Sequence, residues 1–442
     1  MSVDIVRDTA INVLLRVLQD GAYLSIALDK SLRRRAISER GRRFMTQLVY
    51  GTVRHKLLCD YVLERLVHEP LDKLPPAILN ILRMGVFQSL FCSQVTFPSM
   101  VHTSVDLAKR RGHAGLAKLA NAVLRKVPQS LDEICFPSRD RDLAGYLSVR
   151  YSMPCWLVDE WIGEFGPGAA EALCAASNEE APPTIRVNTL RTTPERLIAD
   201  LAKQECAVEK RTPVPEELTL TSGLPPARVK LFREGYFILQ DTASMLPPHL
   251  LEPRPHERVL DLCAAPGGKT THLAQLTEGL AFVVAMDLHA GKLRLVRENS
   301  ERLGLSEPAL VCGDGAAPPL DGGFDRVLVD APCTGLGTLR RHPDLKWRVT
   351  PETRETLARL QRALLRAGIR LCKNGGVVVY SVCTISRQET VEVVRDVIEA
   401  ERVEPETGPE WMKRWQKARG KYQTLPHEGL DGFFLMRFRK GL

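Results

Sequence analysis

The spacing of apolar residues predicts a helical bundle in the first part of the chain. Apolar side chains recur every three or four positions over residues 11–18 and again over residues 48–57, which is typical of amphipathic helices. Pro70, the Pro75–Pro76 pair and Pro98 interrupt the pattern, as expected between short helices. Residues 1–128 are therefore predicted to form an all-α bundle.

From about residue 250 the pattern changes to short apolar strands that alternate with helices. Strands are predicted at residues 259–263, 282–287, 326–330 and 376–381, and helices at about residues 270–277, 290–303, 353–372 and 387–400. This alternation predicts a doubly wound parallel sheet, which binds ligands at the carboxyl ends of its strands. A last strand, at residues 433–438, is expected to join the sheet antiparallel, at or near its edge. Residues 246–442 are therefore predicted to form an α/β domain.

The segment between these regions, residues 129–245, has a mixed pattern. One helix is predicted around residues 156–165, and short strands at residues 184–187 and 236–239. No motif in this segment indicates chemistry by itself. The fold class expected for the whole chain is therefore multidomain: an all-α bundle, a mixed α/β connector and a doubly wound α/β domain.

The charges are unevenly distributed along the chain. The 442 residues carry a formal net charge of +8, but residues 1–150 alone hold 23 basic and 14 acidic residues, a net charge of +9. A basic excess at one end indicates a nucleic acid or another phosphate-rich partner. Arg33, Arg34 and Arg35 form one basic cluster there. A solvated helix face is the simpler explanation of one such cluster, but a second cluster at residues 109–126 weakens it.

Other features bound the class of protein. Hydrophobic residues make up 44% of the chain, enough for packed cores, which excludes a largely disordered protein. Charges run through residues 4–16, where a secretion signal has an uncharged core. Polar residues interrupt the apolar region 77–97, which predicts a buried helix and not a membrane span. The eleven cysteines show no CxxC pair or Cys/His cluster with metal-ligand spacing. We therefore expect a cytoplasmic protein with free thiols, no metal and no membrane partner.

The first candidate for chemistry is VLDLCAAPGGKTTHLAQL, residues 259–276. A strand, a glycine turn and a helix let the backbone approach a ligand closely and direct helix N–H groups at anionic atoms. Residues 268–270 match the end of the phosphate-binding loop G-x-x-x-x-G-K-[ST], but Cys263 stands where that loop needs its first glycine. One interpretation is therefore a nucleotide triphosphatase in which Asp330 binds a metal ion.

The second interpretation is a nucleoside cofactor site. In such sites an acidic residue about 20 positions after the glycine turn binds a ribose hydroxyl. Asp287 ends the next predicted strand 19 residues after Gly268, so this interpretation requires no missing glycine. Asp314 also follows a strand and is a candidate for a hydrogen bond to the base amine. A turn or a helix cap explains such an aspartate equally well.

Three more side chains at strand ends suit methylation of a pyrimidine. Asp330 and Cys333 follow one predicted strand, and Cys383 ends another. Cytosine C5 is a poor nucleophile, but a thiolate that adds at C6 turns the ring into an enamine that attacks a methyl donor. An acid at N3 or N4 takes up the developing charge, and a base removes the C5 proton. The residues alone do not decide which of the two cysteines is the nucleophile. Pro332-Cys333 matches the Pro-Cys nucleophile of DNA enzymes that make the same product, which would favour Cys333.

Taken together, DLCAAPGGKTTHL, DAPCTGLGTLRRHPDLKW and YSVCT resemble the motifs of the Sun (RsmB-type) branch of RNA cytosine-C5 methyltransferases. LVYGTVRHK and NAVLRKV are similar to the NusB-like RNA-binding domain of that branch, and IRVNTLR and LQDTAS to the segment before its catalytic domain. The resemblance covers essentially the whole chain. It implies a NusB-like domain over residues 1–128, a connector with an RNA-binding role over residues 129–245, and a class I, Rossmann-like methyltransferase domain over residues 246–442.

The resemblance also implies an activity and a site. Members transfer a methyl group from S-adenosylmethionine to a cytosine of small-subunit (16S) ribosomal RNA through a covalent adduct between a cysteine and C6. The residues that would line the cofactor are Cys263, Ala264, Ala265, Pro266, Gly267, Gly268 and Lys269. Asp287 would bind its ribose, Asp314 its adenine, and Asp330 would face both cofactor and base. The resemblance assigns the nucleophile to Cys383 and product release to Cys333.

The sequence departs from the family pattern beside the nucleophile. Val382 replaces a residue with a hydroxyl, which indicates a slower reaction and not a different one. Residues 386–389, Ser-Arg-Gln-Glu, stand where the family has an acidic stretch that contains proline.

Further residues are candidates for contact with RNA. Arg340 and Arg341 are adjacent guanidinium groups near the predicted active edge and are predicted to bind RNA phosphate. Trp411 and Trp415 lie among basic residues and could stack on bases, but their spacing favours packing on the core. A monomer is expected. A non-catalytic RNA-binding module, of the antitermination type, is the remaining alternative.

Overall fold

The structure, a computed structural model, describes residues 4–34, 37–223 and 228–441. Its contacts divide the chain into two compact units. One, the helical unit, comprises Met1–Glu179 and Leu339–Arg348, and the other, the α/β unit, comprises Glu180–Thr338 and Val349–Leu442. The segment that the sequence predicts as a connector is therefore divided between the two units.

The helical unit confirms the predicted bundle. In its described residues the α-helices are α1 (Ile5–Leu18), α2 (Leu24–Arg34), α3 (Glu39–Arg54), α4 (Lys56–Leu63), α5 (Pro76–Phe91), α6 (Phe97–Arg111), α7 (Ala114–Leu124), α8 (Leu143–Tyr151), α9 (Cys155–Phe165) and α10 (Pro167–Ala176). Helix α5 begins with a proline, whose missing N–H costs nothing at a helix start. Every residue from Ile78 to Gln88 is buried, so α5 is the buried helix that the sequence predicts. Over the described ranges, no helix is long and apolar enough to cross a bilayer.

A late segment of the chain, Leu339–Arg348, packs inside the helical unit. The Trp347 indole donates to the Val53 carbonyl at 2.8 Å, and the Lys346 ammonium donates to the Arg54 carbonyl at 2.7 Å. Lys346 is 2% exposed. Burial, followed by the nearby Arg54 guanidinium, lowers the pKa of Lys346 well below its usual value. These contacts make the segment part of the core of the helical unit.

The α/β unit begins with a small antiparallel sheet in the order β2-β3-β1-β4. Its elements are β1 (Thr184–Val187), α11 (Pro194–Ala202), β2 (Ala207–Glu209), β3 (Glu217–Ser222), α12 (Lys230–Arg233) and β4 (Phe237–Leu239). Ile185 and Val187 of β1 are fully buried against Leu197 and Leu201 of α11. Both strands that the sequence predicts here are confirmed.

A large mixed sheet follows, in the order β11-β12-β13-β9-β8-β5-β6-β7, with β10 beside β13. Its strands are β5 (Arg258–Asp261), β6 (Phe282–Asp287), β7 (Ala309–Cys312), β8 (Phe324–Asp330), β9 (Cys372–Val382), β10 (Val403–Pro405), β11 (Gln416–Ala418), β12 (Lys421–Thr424) and β13 (Phe433–Lys440). Strands β5 to β9 run parallel, and β13 pairs antiparallel with β9. The predicted parallel sheet and its antiparallel last strand are confirmed.

Helices cover both faces of this sheet. They are α13 (Thr242–Leu251), α14 (Gly268–Leu276), α15 (Ala290–Leu303), α16 (Pro351–Leu371) and α17 (Val391–Ile398). Val327 and Val329 of β8 pack in the apolar cluster that contains α16, whereas Leu328 between them packs in the cluster that contains α13. Because both faces are covered, the central strands read as continuous apolar runs. The carboxyl ends of β5, β6, β8 and β9 meet at one edge of the sheet.

Candidate active site

The turn after β5 is shaped by its own backbone. The Ala264 N–H donates to the Met286 carbonyl at 2.8 Å, and the Gly267 N–H donates to the Ala264 carbonyl at 2.8 Å. Gly267 has a φ of +101°, and a Cβ there would lie 2.9 Å from the Cα of Val296. Only glycine satisfies both conditions. Helix α14 begins at Gly268, so unpaired N–H groups of its first turn face the turn.

The predicted cofactor residues, 263–269, lie in and around this turn, which is called the cofactor turn below. Ala264 and Gly267 are buried, Cys263, Ala265, Gly268 and Lys269 are half-buried, and Pro266 is exposed. Asp287 ends the neighbouring strand β6, and its carboxylate accepts a hydrogen bond from the Ala265 N–H at 3.3 Å. The structure therefore brings Asp287 to the turn, as the sequence predicts.

Asp314 lies two residues beyond the next strand, β7. Its side chain is exposed, and its carboxylate accepts a hydrogen bond from the Ala316 N–H at 2.9 Å. The Gly313 N–H donates to the Asp287 carbonyl at 3.2 Å, so the two loops are in contact. Asp314 is thus both a turn-forming residue and an exposed carboxylate beside the cofactor turn.

Asp330, at the end of β8, is paired with a lysine of the cofactor turn. One carboxylate oxygen lies 2.6 Å from the Lys269 Nζ, and the other accepts a hydrogen bond from the Ser381 hydroxyl at 2.6 Å. Burial alone would lower the pKa of Lys269, but the Asp330 carboxylate outweighs burial and raises it. Lys269 therefore stays charged and holds Asp330 in place.

The two predicted cysteines lie together at this edge. The Sγ atoms of Cys333 and Cys383 are 3.2 Å apart, and both side chains are half-buried. The hydrogen bond with Cys383, together with burial, raises the pKa of Cys333 well above its usual value. Cys333 is therefore a protonated thiol at neutral pH in this arrangement.

The loop after Cys333 also contacts the loop that carries Cys383 through its backbone. The Gly337 N–H donates to the Cys383 carbonyl at 3.1 Å, and the Gly337 carbonyl accepts from the Gly432 N–H at 2.8 Å. A Cβ at Gly337 would lie 1.8 Å from the Gly432 carbonyl oxygen. This approach requires glycine and holds the two loops against each other.

Comparison with known proteins identifies the family. The family model "16S rRNA methyltransferase RsmB/F" matches residues 248–439, the NusB family matches residues 4–129, and a ferredoxin-like domain of RsmF/B-like methyltransferases matches residues 153–226. A probable ribosomal RNA small subunit methyltransferase B of Bacillus subtilis (strain 168) is 35% identical, with 98% of both chains covered. The chain belongs to the RsmB/F family of 16S rRNA methyltransferases. The ribosomal RNA small subunit methyltransferase B of Thermus thermophilus is also 35% identical, with 98% of this chain and 97% of the relative covered.

Solved structures agree with this assignment. The crystal structure of PH0851 matches all of both chains with a TM-score of 0.81 and 26% identity. The crystal structure of NSun6 from Pyrococcus horikoshii with SFG, an analogue of S-adenosylmethionine, matches 65% of this chain and 98% of that chain, with a TM-score of 0.60 and 27% identity. The predicted fold class, a NusB-like helical domain with a Rossmann-like methyltransferase domain, is confirmed, and so is S-adenosylmethionine as the cofactor.

The residues of the cofactor turn fit S-adenosylmethionine. Gly267 lets the turn pack closely against the backbone of Val296, and the start of α14 offers N–H donors to a carboxylate. The Asp287 carboxylate stands at the end of the adjacent strand, where a ribose hydroxyl is bound in Rossmann-like folds. When bound, the cofactor supplies an electrophilic methyl group.

Sequence reasoning missed Asp261, the last residue of β5. This carboxyl is 1% exposed and accepts a hydrogen bond from the Thr270 hydroxyl at 2.7 Å. Burial, and then the negative charge of Asp330, raise the pKa of Asp261 to about 7. Its position at the carboxyl end of a central strand, inside the DLC motif, was the signal that could have identified it.

Sequence reasoning also missed Glu389, which is fully buried. Its carboxylate accepts hydrogen bonds from the Thr334 N–H at 2.9 Å and from the Gln361 amide at 3.0 Å. Thr334 follows Cys333 directly, so this carboxylate lies next to the loops that carry Cys333 and Cys383, which are called the thiol loops below. In the sequence Glu389 stands only in a stretch that departs from the family pattern.

A third group that the sequence did not predict is Glu216, His249 and His272. Glu216 Oε1 lies 2.8 Å from His249 Nε2 and 2.5 Å from His272 Nε2, so the three offer ligand atoms close enough for a metal ion. Burial, followed by the nearby Arg186 guanidinium, lowers the pKa of His272 to about 3. Burial alone would raise the pKa of Glu216, but His272 and His249 outweigh it and lower that pKa. The group is a buried carboxylate between two imidazoles.

The arginines predicted to contact RNA differ in how exposed their side chains are. Arg33 is exposed, whereas Arg35 and the side chain of Arg34 lie outside the described residues. Arg340 is 7% exposed and its carbonyl accepts a hydrogen bond from Arg54 at 2.8 Å, so its buried side chain does not fit the predicted contact with phosphate. Arg341 is half-buried.

The two tryptophans pack on the core, as predicted. They lie on the short 3₁₀ helix Glu410–Trp415, where Trp415 is buried and Trp411 is half-buried. The Trp411 ring lies edge-on to the His249 ring, with 5.0 Å between centroids.

Proposed function

We propose that this enzyme methylates C5 of a cytosine in 16S ribosomal RNA through a covalent adduct between Cys383 and C6 of the base. The observation that carries this proposal is the pair of thiols, Cys333 and Cys383, with Sγ atoms 3.2 Å apart at the ends of neighbouring strands. One thiol can attack the ring while the second acts on the adjacent carbon. The family assignment favours this function over a triphosphatase and over a non-catalytic RNA-binding module.

In the first step, the Cys383 thiol loses its proton to solvent, and its sulfur forms a bond to C6. The electron pair of the C5–C6 double bond moves into the ring, which makes C5 nucleophilic. Asp330 hydrogen-bonds the ring at N4, or at N3 when it carries a proton, and the Lys269 ammonium beside it offsets the negative charge that develops on the ring. Lys269 and Ser381 hold the Asp330 carboxylate in position for this contact. C5 then takes the methyl group that S-adenosylmethionine would supply, and S-adenosylhomocysteine would be the leaving group.

In the second step, the C5 proton is removed and the adduct breaks down. Cys333 gives its own proton to solvent and takes the C5 proton; the C5–H electron pair then restores the double bond, the S–C6 bond breaks, and the Cys383 thiolate leaves. The raised pKa of Cys333 supports a role other than the attacking thiolate, because the protonated form is a weak nucleophile.

The other predicted residues bind the two substrates. Residues 263–269 line the cofactor, Asp287 binds its ribose and Asp314 its adenine. Exposed basic residues of the helical unit, among them Arg33, hold the RNA backbone. The enzyme acts as a monomer without a metal ion.

Single substitutions of the two cysteines test the proposal. Cys383→Ala abolishes methyl transfer, because no other side chain forms the bond to C6. Cys333→Ala leaves attack intact but blocks release, so the protein accumulates on RNA as a covalent complex. Incorporation of labelled methyl groups, a denaturing gel and bisulfite sequencing of the RNA measure these outcomes.

Cys372→Ala is the matched control, because Cys372 lies at the opposite end of the same strand, β9. We expect this variant to retain both methyl transfer and product release. Its melting temperature is measured to show that it is folded. Full activity of Cys383→Ala would remove the assigned nucleophile. A gel without a shifted band for Cys333→Ala would contradict the release role.

A further inference from the structure

The two thiols lie beyond the strands that carry them. Cys333 is three residues past the end of β8 and Cys383 one residue past the end of β9, so strand pairing stops before either sulfur. We infer that Glu389 is a positioning residue that sets the spacing of these two thiols. The inference rests on the proposed function, in which both sulfurs act on one pyrimidine ring.

Glu389 is bonded to the residue that follows each cysteine. Its Oε1 accepts from the Thr334 N–H at 2.9 Å, and its Oε2 accepts from the Thr334 hydroxyl. The same Oε2 accepts a longer hydrogen bond, of 3.4 Å, from the Thr384 hydroxyl. The two threonine hydroxyls are 2.9 Å apart. One carboxylate therefore joins the Cys333 loop to the Cys383 loop.

Gln361 of α16 extends this connection to the other side of Cys333. Its amide donates to Glu389 Oε1 at 3.0 Å and to the Pro332 carbonyl at 2.9 Å. Pro332 and Thr334 are thus both held, one on each side of the thiol. These hydrogen bonds fix the position of the Cys333 loop, which strand pairing does not reach.

The burial of Glu389 supports a positional role. Its side chain is fully buried, and the donors named above are all neutral. Burial raises the pKa of Glu389, and its hydrogen bonds oppose that rise. Burying a carboxylate is unfavourable even when it is hydrogen-bonded, so stability alone favours a neutral side chain. The carboxylate is explained by its capacity to accept from several donors on two loops at once.

The first measurement is kinetic. Glu389→Ala releases both loops, and a misplacement of about 1 Å lowers turnover roughly 100-fold. We expect kcat to fall by that factor, while KM for RNA and the dissociation constant of S-adenosylmethionine stay unchanged. Glu389→Gln restores most of kcat, because its amide oxygen still accepts from the Thr334 N–H and its amide nitrogen bonds to the hydroxyls.

The second measurement reports the spacing without catalysis. Diamide accepts two electrons and two protons from two thiols and becomes a hydrazine, while the sulfurs form a disulfide. In the wild-type enzyme Cys333 and Cys383 cross-link rapidly, and peptide mass spectrometry follows the rate. Glu389→Ala slows this cross-link, and Glu389→Gln restores it.

Glu217→Ala is the matched control. Glu217 of β3 is also fully buried, and its carboxylate accepts from the hydroxyls of Thr212 at 3.2 Å and Thr219 at 2.6 Å. Its loss lowers the melting temperature but leaves kcat per folded molecule and the cross-linking rate unchanged. An equal loss of kcat in this control would show that any buried glutamate matters, and would overturn the inference.

Wild-type kcat and cross-linking in Glu389→Ala would also overturn it. If that variant does not fold, Thr384→Val and Thr384→Ser replace it: Val removes the hydroxyl and slows both rates, whereas Ser keeps them, and equal rates in the two variants contradict the inference. Cross-linking needs neither RNA nor cofactor. An active Cys383→Ala enzyme would therefore end the proposed function without deciding this result.

Discussion

The cofactor turn and the thiol loops lie at the same edge of one sheet, but different interactions hold them. Backbone hydrogen bonds and the positive φ of Gly267 form the cofactor turn. The thiol loops share one backbone hydrogen bond, from Gly337 to Cys383, but they depend in addition on side chains, mainly the buried carboxylate of Glu389. A turn built by the backbone needs a short local motif, whereas loops held by side chains depend on residues far apart in sequence. A short sequence motif is therefore enough to identify the cofactor turn, but it does not identify all the residues that hold the thiol loops.

The largest expected effect comes from breaking the ion pair that joins the two regions. Lys269 belongs to the cofactor turn and Asp330 to the thiol side. Lys269→Met leaves Asp330 without its cation and lowers kcat by roughly 100-fold or more, as loss of one oriented charge typically does. The same change at the exposed Lys413 is the control, and steady-state methylation measures both. Near-normal turnover of Lys269→Met would mean that the two regions work independently.

A smaller effect is expected at the turn itself. Gly267→Ala forces a side chain into a positive φ and against the backbone of Val296, a strain of about 1–3 kcal/mol. Affinity for S-adenosylmethionine then falls by roughly 5- to 150-fold by calorimetry, while diamide cross-linking of the thiols is unchanged. Gly163→Ala, where a Cβ meets open space, leaves both properties as they were. Slower cross-linking in Gly267→Ala would remove the distinction between the regions.

The last effect concerns Asp261, at the end of the strand before the cofactor turn, and it changes stability and not turnover. Burial raises its pKa to about 7, from about 4 in an unfolded chain. Between these values the folded state binds a proton that the unfolded state has lost, so stability falls as pH rises from about 4 to about 7. The contribution is at most about 1.4 kcal/mol per pH unit. Asp261→Asn removes it, and urea unfolding at several pH values compares the two proteins. Parallel pH curves would contradict the shift.

Much of the fold could be predicted because burial leaves a local pattern. The strand at residues 282–287 has the predicted bounds, since its apolar run marks a strand covered on both faces. The strand at residues 184–187 also has the predicted bounds, although its sequence is Thr-Ile-Arg-Val. Strand β7, Ala-Leu-Val-Cys, is short and only partly buried, and the sequence indicated a strand before Asp314 without giving its bounds. Strands β10 to β12 are three or four residues long, too short for a period to show.

The site divides in the same way. The sequence placed Asp287, Asp330 and both cysteines at strand ends, and the structure brings them to one edge. Glu389 could not be found, because two of its partners, Gln361 and Thr334, are 28 and 55 residues away and its burial exists only in the folded state. Arg340 shows a related limit: its charge suggested a contact with RNA phosphate, but charge alone does not reveal that a side chain is buried.

The segment Leu339–Arg348 has a consequence for protein engineering. Although it follows Cys333 in the chain, its indole and ammonium groups are bonded to carbonyls of Val53 and Arg54. The helical unit is thus not a detachable module. Removal of residues 1–128 would take away the Val53 and Arg54 carbonyls that bond to Trp347 and Lys346, so a catalytic fragment needs a redesigned segment there before its activity can be interpreted.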